Sequence, residues 1–176
     1  MERTNYNMYL FKALEAYPYE LEEAMEALNY ALSYDAKNVK ALCLMGKVYA
    51  EQLGEYEAAK ECFEQALESS LELPYIYPDY IAILIMNEDL AEAQKVLEFA
   101  LTIKGMDKAV LYNLQSWLFE VWRQYKMAIR AMEEVKAYSY NSDYQYYAEK
   151  EIVRIKKKLS KSDKKKRKKE KSKNRS

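Results

Sequence analysis

The chain has 176 residues, of which 28 are lysine or arginine and 28 are aspartate or glutamate, so its formal net charge is zero. It contains no histidine, which removes the usual general base at neutral pH and the commonest metal ligand. Only three glycines and three prolines occur, which disfavours an all-β fold because such folds need many turn residues. We therefore expect a soluble, mostly helical protein.

The cysteines and the apolar runs predict a cytoplasmic location, or a nuclear one as well if the organism is eukaryotic. Cys43 and Cys62 form no CxxC pair, which favours two reduced thiols over a reactive thiol or a disulfide. No apolar segment follows Met1, so we expect no secretory signal. The most apolar run, residues 80–86, is far too short to span a membrane.

Apolar residues recur along the chain with a period of about 34 residues. The small positions are Ala24, Ala59, Ala93 and Ala128. A large residue follows four places later, at Leu28, Phe63, Leu97 and Met132. A third position follows three places after that, at Ala31, Ala66, Ala100 and Val135. Residues at these spacings share one face of a helix, so the pattern predicts one helix in each repeat.

A second set of apolar positions lies ahead of each of these helices. Its first two columns are Met8, Leu42, Tyr77 and Leu111, and Phe11, Met45, Tyr80 and Leu114. Turn-forming or polar residues separate the two sets, at Pro18, Gly54, 87–89 and 123–124. The sequence thus predicts an array over residues 1–141, with helix–turn–helix repeats at about 5–38, 39–73, 74–107 and 108–140.

Residues 142–159 are predicted to form a helix that caps the array. Ser142 and Gln145 resemble a capping box at its start. One apolar stripe follows at helical spacing, at Tyr144, Ala148, Ile152, Ile155 and Leu159. Nearby tyrosines are expected to pack the last repeat against this cap, at Tyr138, Tyr140, Tyr144, Tyr146 and Tyr147.

The last part of the chain is strongly basic. Residues 154–176 hold 14 basic and two acidic residues, a net charge of +12, so residues 1–153 carry −12. Residues 160–176 contain no apolar side chain, which predicts a disordered tail. Its basic run is Lys164, Lys165, Lys166, Arg167, Lys168 and Lys169. The run has three interpretations: a solubilising extension, an arm for nucleic acid, ribosome or anionic membrane, or a nuclear localisation signal.

The second repeat shows the clearest motif, at Leu42, Gly46, Tyr49, Gly54, Tyr56, Ala59, Phe63 and Ala66. This motif resembles the tetratricopeptide (TPR) repeat. The resemblance extends over about residues 5–140, and it implies an all-α fold. The implied architecture is an α-solenoid of about four TPR-like helix–turn–helix repeats with a C-terminal capping helix. The chain departs from the family by one extra residue before Gly54, and by Lys12, Ile81 and Gln115 where a small residue is expected.

In TPR proteins the first helix of each repeat lines a concave groove that holds a partner segment. The resemblance implies that the groove residues are Tyr6, Tyr9, Lys40, Lys47, Tyr75, Ile85, Tyr112, Ser116 and Phe119. Some family members bind an acidic C-terminus through a carboxylate clamp, but the asparagine expected beside Lys40 and Lys47 is missing here. A helical or apolar partner segment fits the tyrosine-rich wall better. The alternative is that several of these tyrosines, Tyr75 especially, cover neighbouring turns.

The sequence favours an interaction protein over an enzyme. It contains no Gly-rich phosphate loop, no GxSxG and no HExxH motif, and no metal or other cofactor is expected. The predicted function is a non-catalytic adaptor, co-chaperone-like protein or assembly factor that binds another protein. The alternative is an anion-directed factor whose basic tail binds nucleic acid, ribosome or acidic membrane. Dimerisation through an apolar N-terminal edge remains open.

Overall fold

The computed structural model describes the backbone of residues 2–173 and the side chains of residues 8–161. The described backbone contains helices in consecutive pairs followed by one long helix, and it contains no strand. The helices are α1 (Glu2–Ala16), α2 (Leu21–Tyr34), α3 (Val39–Lys47), α4 (Tyr56–Ser69), α5 (Ile76–Met86), α6 (Leu90–Ala100), α7 (Lys108–Val121), α8 (Tyr125–Tyr138) and α9 (Ser142–Lys173). None of the described helices is both long and apolar enough to cross a membrane.

The chain divides into two compact units, Met1–Glu92 and Ala93–Ser176, which we call the N-terminal and C-terminal units. In the N-terminal unit a core of buried side chains joins α1, α2 and α3, including Leu10, Leu28 and Met45. In the C-terminal unit a second core joins α7, α8 and α9, including Phe119, Met132 and Ile155. The three positions that recur in the second helix of each repeat are buried in both units, because the stripe of one helix can be covered only by its neighbours.

Side chains and backbone geometry mark where the helices of a repeat begin and turn. The Asn38 side chain accepts a hydrogen bond from the Ala41 N–H at 3.0 Å, and it caps the start of α3. The turn between the two helices of a repeat places one residue in the left-handed region, at Gly54 (φ 69°), Glu88 (φ 63°) and Arg123 (φ 59°). These three residues follow the repeat period, so the turn geometry repeats even where glycine does not.

The extra residue before Gly54 is taken up by a wider helical turn. Residues Val48–Leu53, which follow α3 directly, form a π-helix, and the Glu55 N–H donates to the Tyr49 carbonyl oxygen at 2.9 Å. A π-helical turn inserts one residue into a helix without ending it. The second repeat therefore keeps its helix pair although it is one residue longer than the family pattern.

The predicted register of α1 is wrong by one residue. Met8 and Phe11, which were expected in the core, are 58% and 66% exposed. Ala13 is completely buried, so it takes the small-residue position that the alignment gave to Lys12. In α7 the small position also lies one residue later, because Ser116 is 1% exposed and Gln115 is not buried, whereas Leu111 is buried as predicted. The number of residues between the small positions of the two helices differs among the repeats, from Ala13 to Ala24 in the first and from Gly46 to Ala59 in the second, so one fixed period cannot place every first helix.

Helix α9 differs from its prediction at both ends. Its start is capped by Asn141, whose side-chain oxygen accepts from the Asp143 N–H at 2.8 Å, while the Gln145 side chain donates to the Ser139 carbonyl oxygen at 2.7 Å. The capping box at Ser142 is therefore corrected to an asparagine cap.

The end of α9 also corrects an expectation. Its backbone continues to Lys173, past residue 159 and through the first part of the segment expected to be disordered. No glycine or proline interrupts residues 142–173, and lysine and arginine are good helix formers, so a helix that is already packed on α7 and α8 can continue. The predicted repeat boundaries stay predictions.

Candidate functional site

In the N-terminal unit the first helices of the second and third repeats form one polar and aromatic surface. We call it the α3–α5 face, formed by Lys40, Cys43, Lys47, Tyr75 and Asp79. The Lys47 ammonium lies 3.5 Å from the Asp79 carboxylate, which joins the two helices across this face. Tyr75 is 45% exposed, and Lys40 is exposed with no ion-pair partner among the described residues. This face offers one uncompensated cation and one large aromatic side chain to a partner.

Buried and hydrogen-bonded groups underlie the α3–α5 face. Burial, assisted by the nearby Asp79 charge, raises the pKa of the Cys43 thiol to about 12. Burial also raises the pKa of Cys62 to about 11. Because the thiolate is the reactive form, both cysteines are inert at neutral pH. At the edge of the face the Tyr17 hydroxyl donates to the Glu51 carboxylate, and burial together with that bond raises the pKa of Tyr17 to about 12.

Two of the predicted N-terminal groove residues, Tyr9 and Ile85, do not contribute to the α3–α5 face. Tyr9 stacks on two tyrosines of α2, with ring centroids 5.1 Å from Tyr30 and 5.8 Å from Tyr34. It therefore packs within its own helix pair, away from the α3–α5 face. Ile85 is 2% exposed, so it belongs to the core, and its prediction as an accessible groove residue is corrected. The Tyr6 side chain lies outside the described residues.

In the C-terminal unit two predicted groove residues are buried. Ser116 is 1% exposed, and its hydroxyl donates to the Ala128 carbonyl oxygen of α8 at 2.9 Å. Phe119 is 7% exposed and lies in the core with residues of α8 and α9. Neither is accessible to a partner, because both side chains pack toward α8. Trp117, one residue after Ser116, is 37% exposed and was not among the predicted groove residues.

Tyr112 keeps a partly exposed position near the start of α7. Its ring stacks on Tyr138 with a centroid distance of 5.4 Å, and the Lys108 ammonium lies 5.1 Å from the Tyr138 ring centroid. Tyr144 packs against the core that joins α7, α8 and α9, and the Tyr147 hydroxyl donates to the Asn113 side-chain oxygen of α7 at 3.4 Å, as the expected packing against the cap requires. Tyr140 and Tyr146 remain exposed, so the expectation that all five tyrosines pack the cap holds only in part.

Helix α9 is fixed to α7 by a cluster of charges around Glu120. The Arg154 guanidinium donates to both Glu120 carboxylate oxygens, at 2.6 and 2.5 Å, and it also pairs with Glu151. Lys158 donates to the same Glu120 carboxylate. Arg154 is the main cause that holds the pKa of Glu120 below its usual range. Two basic residues of α9 therefore contact α7 and are not free for a partner.

The basic run from Lys164 to Lys169 lies on the part of α9 for which the structure describes the backbone only. Its helical backbone is continuous with the segment that packs on α7 and α8. The side chains of this run lie outside the described residues.

Comparison with known proteins agrees with this fold. The family model of the tetratricopeptide repeat matches residues 39–72, the second helix pair. A solved structure reported for the functional characterization of Pseudomonas aeruginosa pilF is similar, with a TM-score of 0.71 and 18% sequence identity. The similarity covers 89% of this chain and 74% of that chain. A search of curated proteins returned no match.

The fold and the matched repeat define an all-α protein built from TPR-like helix pairs. The match of the family model identifies a tetratricopeptide repeat at residues 39–72, which confirms the predicted resemblance, and the helical architecture confirms the predicted all-α fold class. Proteins of this family bind protein partners and are generally non-catalytic scaffolds. The repeat and the fold support a protein-interaction module in general terms.

Proposed function

We propose that the protein is a non-catalytic adaptor or assembly factor that binds a partner segment on the α3–α5 face. The observation that carries the proposal is the exposed pair of Lys40 and Tyr75 on one face, where the Lys47–Asp79 ion pair joins the two helices at 3.5 Å. A tyrosine ring offers a large contact area at a small entropic cost, and few residues supply most of the binding energy at an interface. The cytoplasmic location belongs to this proposal and stays a prediction.

The chemistry of the face favours a partner segment that carries both an apolar and an acidic group. Tyr75 can cover an apolar side chain, while Lys40 has no carboxylate partner among the described residues. Lys47 is already paired, so a carboxylate that reached it would compete with Asp79. A double carboxylate clamp is therefore disfavoured, and a helical or extended segment with a single acidic group suits the face.

The test is affinity capture from an extract of the source organism, with partners identified by mass spectrometry. Full-length protein is compared with a Lys40→Ala, Tyr75→Ala variant and with a Leu71→Ala control. Leu71 is 57% exposed and is not part of the α3–α5 face. We expect the double variant to lose a protein that the wild type and the control both retain. Retention of every partner by the double variant would contradict the proposal.

A second candidate function rests on the continuous backbone of α9. Because this helix continues to Lys173, the basic run from Lys164 is held on a helix that packs on the C-terminal unit. A helical arrangement of Lys and Arg could bind a polyanion by counterion release. A variant with glutamine at all six positions of the run separates the two functions. It should keep the partners of the α3–α5 face and lose binding to RNA, DNA or anionic vesicles.

A further inference from the structure

The outer face of α1 is apolar although it lies in solvent. Met8 and Phe11 are 58% and 66% exposed, and they lie opposite the buried Leu10 and Ala13. Glu15 shares this side of the helix, one turn after Phe11. We call Met8, Phe11 and Glu15 the α1 face. Exposed apolar residues that are neighbours on a helix mark a surface that another helix can cover.

An acidic groove borders the α1 face. It is a cavity of about 640 Å³ lined by Lys12, Glu20, Leu21, Glu22, Glu23 and Glu26. Lys12 pairs with Glu23 at 3.1 Å, which leaves the other glutamates without a basic partner among the described residues. The close approach of Glu23, through a hydrogen bond first and its charge second, raises the pKa of Glu20. Carboxylates crowded in this way are stabilised by an approaching cation.

Helix α9 presents the complementary surface. Opposite its buried residues it carries a stripe that we call the α9 stripe, formed by Tyr146, Lys150, Val153, Lys157 and Lys161. Tyr146 and Val153 are 59% and 53% exposed. The Lys150 ammonium lies 4.4 Å from the Tyr146 ring centroid, and none of the three lysines pairs with a carboxylate among the described residues. The stripe thus combines apolar contact area with uncompensated positive charge.

We propose that the α1 face of one copy of the chain binds the α9 stripe of a second copy. The apolar residues of the two surfaces cover each other, and the lysines of the stripe approach the acidic groove beside α1. A contact between two α1 faces would bring two acidic grooves together, and a contact between two stripes would oppose lysines. Charge therefore selects the contact between unlike surfaces.

This contact is heterologous, because it joins two different surfaces of the chain, and it therefore leaves one free surface on each copy. Each copy that binds through its α1 face still has a free α9 stripe, and each copy that binds through its stripe still has a free α1 face. Such contacts add copies in sequence until a ring closes, and they form an open filament if it does not. The α3–α5 face is not used, so this self-association is independent of the proposed function.

The first experiment is sedimentation velocity of the full-length protein over a range of concentrations and salt. At about 0.01 M salt, where charges act over about 30 Å, the sedimentation coefficient is expected to increase with concentration. At about 1 M salt the range falls to about 3 Å, and we expect the association constant to fall by about tenfold or more. A single monomeric species at every concentration in low salt would overturn the proposal.

The second experiment uses two variants that place the wrong charge in the contact. Phe11→Lys puts a cation on the α1 face, opposite the lysines, and Val153→Glu puts a carboxylate in the stripe, opposite the glutamates. Both side chains are more than half exposed, so each variant should keep the wild-type helicity and melting temperature. Each variant alone is expected to lose self-association by at least about tenfold, whereas an exposed control, Leu71→Lys, should associate like the wild type.

Mixing the two variants provides the decisive result. The lysine at position 11 of one variant then faces the glutamate at position 153 of the other, and the second pair of surfaces is unchanged. We expect the equimolar mixture to recover association that neither variant shows alone. Wild-type association of Val153→Glu by itself, or no recovery in the mixture, would overturn a contact between α1 and α9.

Discussion

Gly46 is the position where the packing of the N-terminal unit can be tested most directly. A Cβ atom added to Gly46 would lie 2.6 and 2.7 Å from two ring carbons of Phe63 and 3.2 Å from the Ala59 carbonyl oxygen. The Phe63 ring cannot withdraw freely, because it is completely buried and stacks on Tyr80 with a centroid distance of 5.7 Å. Gly46→Ala therefore forces two helices of the same repeat apart.

Two opposing effects set the change in the free energy of unfolding that Gly46→Ala causes. Ordinary contacts begin near 3.4 Å, so the ring must move by about 0.8 Å to accept the methyl group. Overpacking of this kind costs about 1–3 kcal/mol, while alanine gains about 1 kcal/mol over glycine in a helix. We expect Gly46→Ala to lower the free energy of unfolding by about 1 kcal/mol, which is about 2–4 °C in melting temperature for a chain of this size. Gly46→Leu should cost more, about 3 kcal/mol.

The assay is thermal and urea unfolding of a double-mutant cycle with Phe63→Leu. The smaller side chain removes ring atoms near the new methyl group, so the double variant should be more stable than the sum of the single effects, by about 0.5–3 kcal/mol. Gly54→Ala is the matched control. Its Cβ meets nothing within 4 Å, and its cost comes from the backbone angle of 69° alone. Additive effects of Gly46→Ala and Phe63→Leu, or a stabilised Gly46→Ala variant, would refute the reasoning.

Three further predictions concern other parts of the chain. Arg123→Gly should raise the free energy of unfolding by about 1 kcal/mol in urea melts, since Arg123 holds a left-handed φ of 59°, and an unchanged midpoint would contradict this. Glu120→Gln should cost roughly 1–2 kcal/mol at neutral pH, since Arg154 and Lys158 both lose the Glu120 charge, although Arg154 keeps Glu151. The pKa of Glu120 is lower in the folded protein, so its contribution to the free energy of unfolding is fully present above its unfolded pKa of about 4.3 and is lost as pH falls through the folded pKa. The stability of the Gln variant should therefore depend less on pH in this acidic range. Cys43 should react with a thiol reagent at pH 7 only after unfolding, and rapid labelling of the native protein would disprove its burial.

The repeat period predicted most of the fold because it records which positions are buried. The alanines at 24, 59, 93 and 128 are all completely buried, as their spacing predicted. The columns for the first helices were correct in the second and third repeats, where Met45 and Tyr80 are buried. They failed in α1, where Phe11 is exposed, because fewer residues separate the small positions Ala13 and Ala24 of the first repeat than separate Gly46 and Ala59 of the second. The length of the turn between two helices varies without changing the apolar period of either helix, so periodicity fixes each helix but not the register between the two.

The site was harder to predict than the fold. Lys40 and Tyr75 are accessible, whereas Ser116 and Phe119 are buried by a shift of a single residue in α7. A residue's position on a helix changes by about 100° with each step, so an error that leaves the helix prediction intact is enough to turn a side chain from solvent to core.

The sequence by itself determined the class of protein, since helical periodicity, the repeat length and the scarcity of turn residues follow from local chemistry and from the need to bury one face of every helix. Only the tertiary structure decided which charged side chains form ion pairs within the fold and which have no charged partner among the described residues. Arg154 is paired with Glu120 on α7, while Lys150 and Lys157, on the same helix, have no carboxylate partner among the described residues. A charge interacts according to what lies within a few ångströms of it, and residues 34 positions apart become neighbours only when the helices pack.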